Sequence, residues 1–329
     1  MHSPDPNLYI RRRVCCWANK FLSPLGIAII ETERPKWMRR NSVVTTQIGR
    51  YAIQVPSNNP ISSWYLSHPN YSSQLGRLTS LARNKFPNLA VIDIGANVGD
   101  TACIIKTAED VPLLCIEGDD YTFSFLQKNV AQFKNTTAHK MFLGEKTVEI
   151  TAQLEKSGWN TTIKPAEASS SASRMSITSL DDFILTRPDV DTFKLLKIDT
   201  EGFDCSIIRG AKQFIQRVSP VITFEFNREN MDAINEPGIE TLFMLADLGY
   251  SHIAFHDSHG RFLCATTLND RGLIHDLYNF ADGNPGRSIF YYDLTVFSKS
   301  DNDIALAFMN KERAQNERNH QIQAVLGPH

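Results

Sequence analysis

The chain is short of basic charge. Its 34 lysines and arginines are outnumbered by 36 aspartates and glutamates, for a formal net charge of -2. Without a basic excess there is little to neutralise a phosphate backbone, so a nucleic-acid partner is not expected. Cysteine in paired spacing is missing too. Cys15, Cys16, Cys103, Cys115, Cys205 and Cys264 follow no zinc-site or disulfide spacing and read as reduced thiols of a cytoplasmic protein. Nor is there an uninterrupted apolar run long enough to span a bilayer. Arg11, Arg12 and Arg13 precede a mostly apolar segment ending near Ile30, but Asn19, Lys20 and Pro24 break it and no small-residue cleavage site follows. Neither a transmembrane segment nor a signal peptide is expected. A helix packed on the domain is the favoured reading there, a membrane-surface helix its alternative. What is abundant is ordinary: 42% hydrophobic and 21% charged residues can build a substantial soluble core.

The most informative absence is one glycine. The stretch VIDIGANVGDT, from Val91 to Thr101, runs from a buried-type strand through a turn into the apolar spacing of a helix. Gly95 and Gly99 allow a tight turn and a close ligand, and the free N–H groups of the helix start point at that ligand. A dinucleotide fingerprint places a second glycine two residues after the first, where a pyrophosphate approaches the backbone. Here that residue is Asn97. Its amide crowds a diphosphate but suits a phosphate-free ligand with amino and carboxylate groups, such as S-adenosylmethionine. About twenty residues on, at the end of the strand VPLLCIE, Glu117 stands where an acidic residue grips ribose hydroxyls in βαβ nucleotide folds. An ordinary βα turn followed by a solvated glutamate is the plain alternative.

Around this unit the pattern alternates. VVTTQIGRYAIQV predicts a hairpin about Gly49, and the aromatic stretch Ile61 to Tyr71, with Trp64, Tyr65, His68 and Tyr71, reads as turn-rich and either walls a pocket or packs as a lid. Leu75, Leu78 and Leu81 mark a helix ending at Pro87. Beyond the first two strands, Asp120 is expected to cap a helix and a third strand is placed around Lys140 to Leu143. From Glu145 to Met175 the pattern fails. KTVEITAQL suggests a strand pair, and PAEASSSASRM a polar loop that serves as a lid or a plain insertion. A fourth strand, Phe193 to Asp199, leads to a turn after which Asp204 caps a helix through Phe214 and Ile215. Further strands are expected at Val221 to Phe226, Ile253 to His256 and Tyr291 to Phe297, with a charged helix from Asn302. Strands alternating with helices imply an α/β fold with a mainly parallel sheet and helices on both faces. The expected organisation is an extension over 1–60, a catalytic domain over 61–299 and a C-terminal charged helix over 300–329.

With these residues in hand, the chain resembles the FkbM family of S-adenosylmethionine-dependent methyltransferases. DIGANVGDT at Asp93 to Thr101, IEGDD at Ile116 to Asp120, and LKIDTEGFDCSIIRGA at Leu196 to Ala211 followed by FEFN at Phe224 to Asn227 carry the likeness. The resemblance implies a Rossmann-like class I sheet of seven strands. It also implies O-methylation of a hydroxyl on a small-molecule or glycan acceptor, commonly a sugar or polyketide-type natural product. Within these blocks the cofactor-binding set is Asp93, Gly95, Asn97, Gly99 and Thr101 from the first, Glu117 and Gly118 from the second, and Asp199 from the third. Leu143, beside Phe142, is placed at the edge of the adenine pocket. One departure is Asp204, where the family usually has glutamate.

Ligands of open parallel sheets lie across the carboxyl ends of the strands, which brings Asp199 and Glu201 to the expected methionine end of the cofactor. If the backbone stays extended there, the two carboxylates point to one side. Asp199 is assigned to anchor the cofactor and Glu201 to act as general base. A minority reading has Asp199 and Glu201 hold a divalent cation completed by Glu225 or Asn227, and a plainer one has them only shape the turn. His252, His256 and His259 read as residues of a hairpin rather than metal ligands, with His256 and Asp257 a reserve acid–base pair. Two other classes fit parts of the sequence. A nicotinamide-dependent oxidoreductase shares the βαβ unit and Glu117 but not Asn97, and a non-catalytic module would have no use for Glu117 and Asp199.

Overall fold

The computed structural model describes residues 42–68, 70–157, 160–165, 173–281 and 289–326. The expected N-terminal helix, Cys15, Cys16, Trp159 and most of the polar loop before Met175 lie outside the described residues. A compact unit begins at Val43. It opens with a hairpin, β1 (Val43–Ile48) and β2 (Tyr51–Pro56), closed by Ile48 facing Tyr51 around Gly49, as the alternation predicts. Helices α1 (Ile61–Ser67) and α2 (Ser73–Lys85) follow. The aromatic stretch is therefore largely helical rather than turn-rich; Pro60 leads into α1, and Trp64 and His68, one turn apart, lie ring against ring.

The βα alternation then runs through β3 (Ala90–Ile94), α3 (Asp100–Ala108), β4 (Leu113–Glu117), α4 (Asp120–Val130) and β5 (Thr136–Lys140). The cap of α4 is Asp119, not Asp120: its side chain accepts from the backbone N–H groups of Tyr121 and Thr122 at 3.1 and 3.0 Å. The third strand also differs from expectation. It ends at Lys140, and Phe142 to Gly144 form β6 of another sheet, with β7 (Val148–Ser157), β8 (Asn160–Pro165) and β9 (Ser173–Ser179) in the order β6-β9-β7-β8. The weakly apolar TTAHK sequence pairs at the sheet edge, where one partner suffices, and so carries little hydrophobic signal.

The second half comprises α5 (Leu180–Ile184), β10 (Phe193–Ile198), α6 (Asp204–Arg209), α7 (Lys212–Val218), β11 (Val221–Phe226), α8 (Arg228–Ala233), α9 (Gly238–Asp247), β12 (Tyr250–Asp257), β13 (Phe262–Thr267), α10 (Arg271–Phe280), β14 (Tyr292–Ser298) and α11 (Asn302–Leu326). The single helix expected after Asp204 is two short ones broken at Gly210, where an added Cβ would lie 2.2 Å from the Gly144 carbonyl.

The main sheet has eight strands in the order β13-β12-β14-β11-β10-β3-β4-β5. From β11 to β5 neighbours are parallel; β14, β12 and β13 join antiparallel. The eighth strand, beyond the seven expected, is β13, hairpin partner of β12. This is a Rossmann-like, mainly parallel α/β sheet with helices on both faces. Strand residues alternate between two cores: Ile92, Ile94, Leu196 and Ile198 pack with α6, α7 and α9, while Val91, Leu113 and Leu195 pack with α2, α3 and α11. Among the described residues no helix is long and apolar enough to cross a membrane.

Helix α11 is fastened by charge as well as by Phe308. Arg77 of α2 grips Glu312 with both ends of its guanidinium, at 2.5 and 2.6 Å, and His256 Nε2 lies 3.3 Å from the same carboxylate. Burial raises the Glu312 pKa, but the hydrogen bonds from Arg77 and His256 outweigh it, and the net shift is downward. A depressed carboxylate stabilises the fold above its unfolded pKa, about 4.3, and that contribution is lost as pH falls through the folded value. Glu312 is 1% exposed, so Arg77→Met strands a buried charge and should cost about 3–5 kcal/mol in urea unfolding at neutral pH. A loss below about 1 kcal/mol would show that the helix does not depend on this pair.

Candidate functional site

Two turns meet at the carboxyl ends of β3 and β10. Gly95 has φ +69° and Gly99, at the N-cap of α3, has φ +90°. A Cβ on Gly95 would fall 1.8 Å from the carbonyl oxygen of Asp199, so only glycine permits this approach. The Asp199 N–H donates to the carbonyl of Ile94 at 3.0 Å. Asn97 also takes a left-handed conformation, φ +47°, and its N–H donates to Glu117 Oε2 at 3.1 Å, while Glu117 Oε1 accepts from the N–H of Asp119 at 2.9 Å. The acidic residue at the end of β4 is thereby fixed against the glycine turn. Burial pushes its pKa up to about 7 against those two hydrogen bonds.

Together these turns border a cleft with a cavity volume of about 170 Å³. Gly95, Asn97, Thr101, Glu117, Gly118, Leu143, Asp199, Glu201 and Glu225 of the expected set all line it. Asp93 and Gly99 do not. Asp93, fully buried, accepts from the Thr101 hydroxyl at 2.6 Å and pairs with Lys197 behind the cleft wall, and Gly99 packs against Leu126 and Val130. Gly118 faces Phe142, whose ring atoms would stand 2.2 Å from an added Cβ. His256 and Asp257 are absent from the lining: His256 is buried against Glu312, and Asp257 ties its own hairpin turn through the N–H groups of His259 and Arg261 and the Arg261 side chain. His259 instead stacks on Trp64.

The acidic turn is not extended. Glu201 has φ +55° and Gly202 φ +101°, so strand-type alternation does not set the directions of Asp199 and Glu201. Their placement comes from the turn's internal bonds. Asp204 opens α6 without capping it; its Oδ2 accepts from the N–H groups of Thr200 and Gly202 and from the Thr200 hydroxyl. Glu201 Oε2 accepts from the Asn230 amide at 2.9 Å, and Asn227 caps α8 by accepting from the N–H of Asn230. The FEFN end of β11 thus holds Glu201 through α8. Burial and then the neighbouring charges of Asp199 and Asp204 push the Glu201 pKa up to about 7. Burial and Asp199 raise Asp204 to about 7, and the same causes drive Glu225 well above the carboxylate range. Among the described residues no three His, Cys, Asp or Glu side chains form a group that could hold a metal ion.

Two lining residues escape sequence reasoning. Asp100, first in α3, accepts from the Tyr65 hydroxyl at 3.1 Å and is raised to about 6 by burial. Lys197, on β10 opposite Asp93 on β3, pairs with Asp93 at 3.1 Å and Asp199 at 3.7 Å and donates to the Gly95 carbonyl at 3.1 Å. Burial opposes its charge, but Asp93, Asp199 and Asp100 outweigh that and raise its pKa. The signal was a lysine inside an otherwise apolar strand, a residue type seldom buried without a partner.

Residues 93–252 match the Methyltransferase FkbM domain family. No curated protein matches the chain. Among solved structures, a methyltransferase FkbM from Methylobacillus flagellatus KT is 18% identical, with a TM-score of 0.36, over 55% of this chain and 43% of that one. The chain therefore spans less than half of that protein. P. horikoshii TYW2 in complex with MeSAdo is 14% identical over 89% of this chain and 85% of that one, with a TM-score of 0.41. M. jannaschii TYW2 in complex with AdoMet is 9% identical over 79% and 87%, with a TM-score of 0.37.

Lys197 is the structural keystone of the cleft. Lys197→Met leaves Asp93 buried without its cation and should lower stability by about 3–5 kcal/mol in urea unfolding. Adding Asp93→Asn should recover much of that loss. Independent, additive losses would show that the two residues do not act as a pair.

Proposed function

We propose, from the match of residues 93–252 to the Methyltransferase FkbM domain family, that the chain is an S-adenosylmethionine-dependent O-methyltransferase acting on a small-molecule or glycan hydroxyl. The observation that carries this reading is the contact between the glycine turn and the acidic turn, Gly95 against Asp199, with Glu117 and Glu201 facing one cleft. The cleft residues fit such a cofactor. Each Glu117 oxygen accepts one backbone N–H, which leaves acceptor capacity for ribose hydroxyls. The Asp199 carboxylate, 44% exposed, offers a counter-charge to a sulfonium and an ammonium. A dinucleotide fits poorly. Glu117, Asp119, Asp199 and Glu201 line the cleft with Lys197 as its one cation among the described residues, and Lys197 is already engaged. We take residues 61–299 as the catalytic unit.

When bound, S-adenosylmethionine supplies an electrophilic methyl group. The chain's own residues do the rest. Asn97, Gly95 and Glu117 would hold the adenosine part, with Gly118 and Leu143 beside it, and Asp199 would fix the methionine end. The Glu201 carboxylate would take the proton that the acceptor hydroxyl gives up on methylation. Alignment of oxygen and methyl can supply effective molarities of about 10⁵–10⁸ M, against about 10²–10⁴-fold from a general base.

Glu201→Gln keeps the Asn230 contact sterically possible but cannot take a proton. Calorimetric titration should show S-adenosylmethionine binding within about twofold of the parent, while labelled-methyl transfer to acceptors in a small-molecule extract should fall about 10²–10⁴-fold. Because the base must be ionised and its pKa is about 7, parental turnover should rise as pH climbs through about 7 and level off above it. Unchanged turnover in the variant removes Glu201 from the reaction.

A further inference from the structure

Beyond the cleft lies a smaller chamber of about 40 Å³ that shares Tyr71, Thr101, Lys197, Asp199, Glu225 and Tyr291 with it and continues to Gln74 and Asp293. Its composition does not suit a cofactor end. Glu225 of β11 and Asp293 of β14 are directly opposed across an antiparallel pair, so their side chains share one face, where like charges destabilise. Among the described residues no lysine, arginine or histidine forms a salt bridge with either; the nearest ammonium, Lys197, is spent on Asp93, Asp199 and the Gly95 carbonyl. Two further atoms point to a missing partner. Glu225 Oε1 is occluded from solvent and accepts nothing, and Gln74, 6% exposed, gives its amide N–H to Asp293 at 3.3 Å while its Oε1 also stands without a partner. The chamber therefore offers acceptors in excess and lacks a donor that carries charge.

We propose that this chamber binds a protonated amine of the methyl acceptor, seated between Glu225 and Asp293 and flanked by the rings of Tyr71 and Tyr291. The inference rests on the methyltransferase reading and names the class of its substrate: a hydroxyl compound that also bears a basic nitrogen. An ammonium supplies three donors to two acids that form no salt bridge among the described residues, and tyrosine rings stabilise cations through their faces. A neutral polyol would satisfy the lone pairs but leave the two opposed acids without an ion-pair partner. In such a complex the acceptor is held by its nitrogen in the inner chamber while its hydroxyl reaches Glu201 in the outer cleft. Discrimination against neutral analogues follows because an ammonium can form ion pairs with both acids, whereas a neutral group offers hydrogen bonds alone.

The test uses the whole protein, alone and saturated with S-adenosylhomocysteine. Ethanolamine, ethylene glycol and magnesium chloride are titrated at fixed ionic strength and followed by nuclear magnetic resonance shifts of the protein. Ethanolamine should bind at least tenfold more tightly than ethylene glycol in both forms. D293N and E225Q should each abolish that preference while melting no lower than the parent, because each removes one of two opposed acids. Equal binding of amine and glycol, a preference that survives both substitutions, or displacement of the amine by stoichiometric magnesium would overturn the proposal. Failure of S-adenosylhomocysteine to bind would overturn the cofactor reading instead, and the titrations of the unliganded protein would still decide the chamber's chemistry.

Discussion

The site depends on one close approach, the backbone of Gly95 against the carbonyl of Asp199, and on the ammonium that bridges it. β3 and β10 are neighbours with Lys197 opposite Asp93, so one lysine reaches the buried acid of one strand, the carbonyl of its glycine turn and the first acid of the other turn. Remove the lysine and Asp93 and Asp199 lose the cation they share; add a Cβ at residue 95 and the turns cannot touch. The ion pair is not needed to stabilise a sheet already built from Ile92, Ile94, Leu196 and Ile198. What it fixes is where two loops stand relative to one another, a job that apolar packing does less specifically.

The acids beyond that bridge are placed at the expense of stability. Glu201, Asp204, Glu225 and Asp293 are all shifted upward, first by burial and next by the charge of Asp199. Such groups bind protons more readily folded than unfolded, so near neutral pH they oppose folding rather than favour it. A structural motif has no reason to collect Glu201, Glu225 and Asp293 along two adjoining cavities, whereas a site that must receive positive charge does. The sulfonium and ammonium of the proposed cofactor would offset the acids nearest Asp199. The opposed pair on β11 and β14 lies in the adjoining chamber, where the proposed acceptor amine would be its counter-charge.

Much of this was legible in the residues. The strand–turn–helix run at Val91 to Thr101, the acid ending β4 and the acidic turn after β10 are local signals, readable because glycine, strand hydrophobicity and helix spacing each act over a few residues. The eight-stranded sheet follows from the same alternation, apart from β13. What escaped was non-local. Strand β5 is an edge with few apolar residues, so its register with β4 rather than its composition defines it. Lys197 has meaning only once β10 is known to lie beside β3, and Asp293 only once β14 is known to pair with β11. The extended backbone assumed for Asp199 and Glu201 failed because Glu201 is left-handed, a conformation that side-chain chemistry alone seldom announces.

That left-handed residue also bears on how the chemistry is divided. A non-glycine residue at φ +55° is held against a local energetic preference and persists only where its surroundings over-determine it. Here they do. Asp204 gathers the N–H groups of Thr200 and Gly202, Gly202 lies against the backbone of Asn230, and the Asn230 amide takes the Glu201 carboxylate. Asn230 is itself fixed by the cap that Asn227 places on α8. A carboxylate clamped at this many points is costly if all that is required is a proton acceptor, since a general base of suitable pKa can act from a mobile side chain. Clamping matters when position is what counts. Because alignment contributes several orders of magnitude more than proton transfer, the clamp favours, for the proposed reaction, a turn that sets where the acceptor oxygen lies, with proton uptake the smaller part of the role proposed for Glu201.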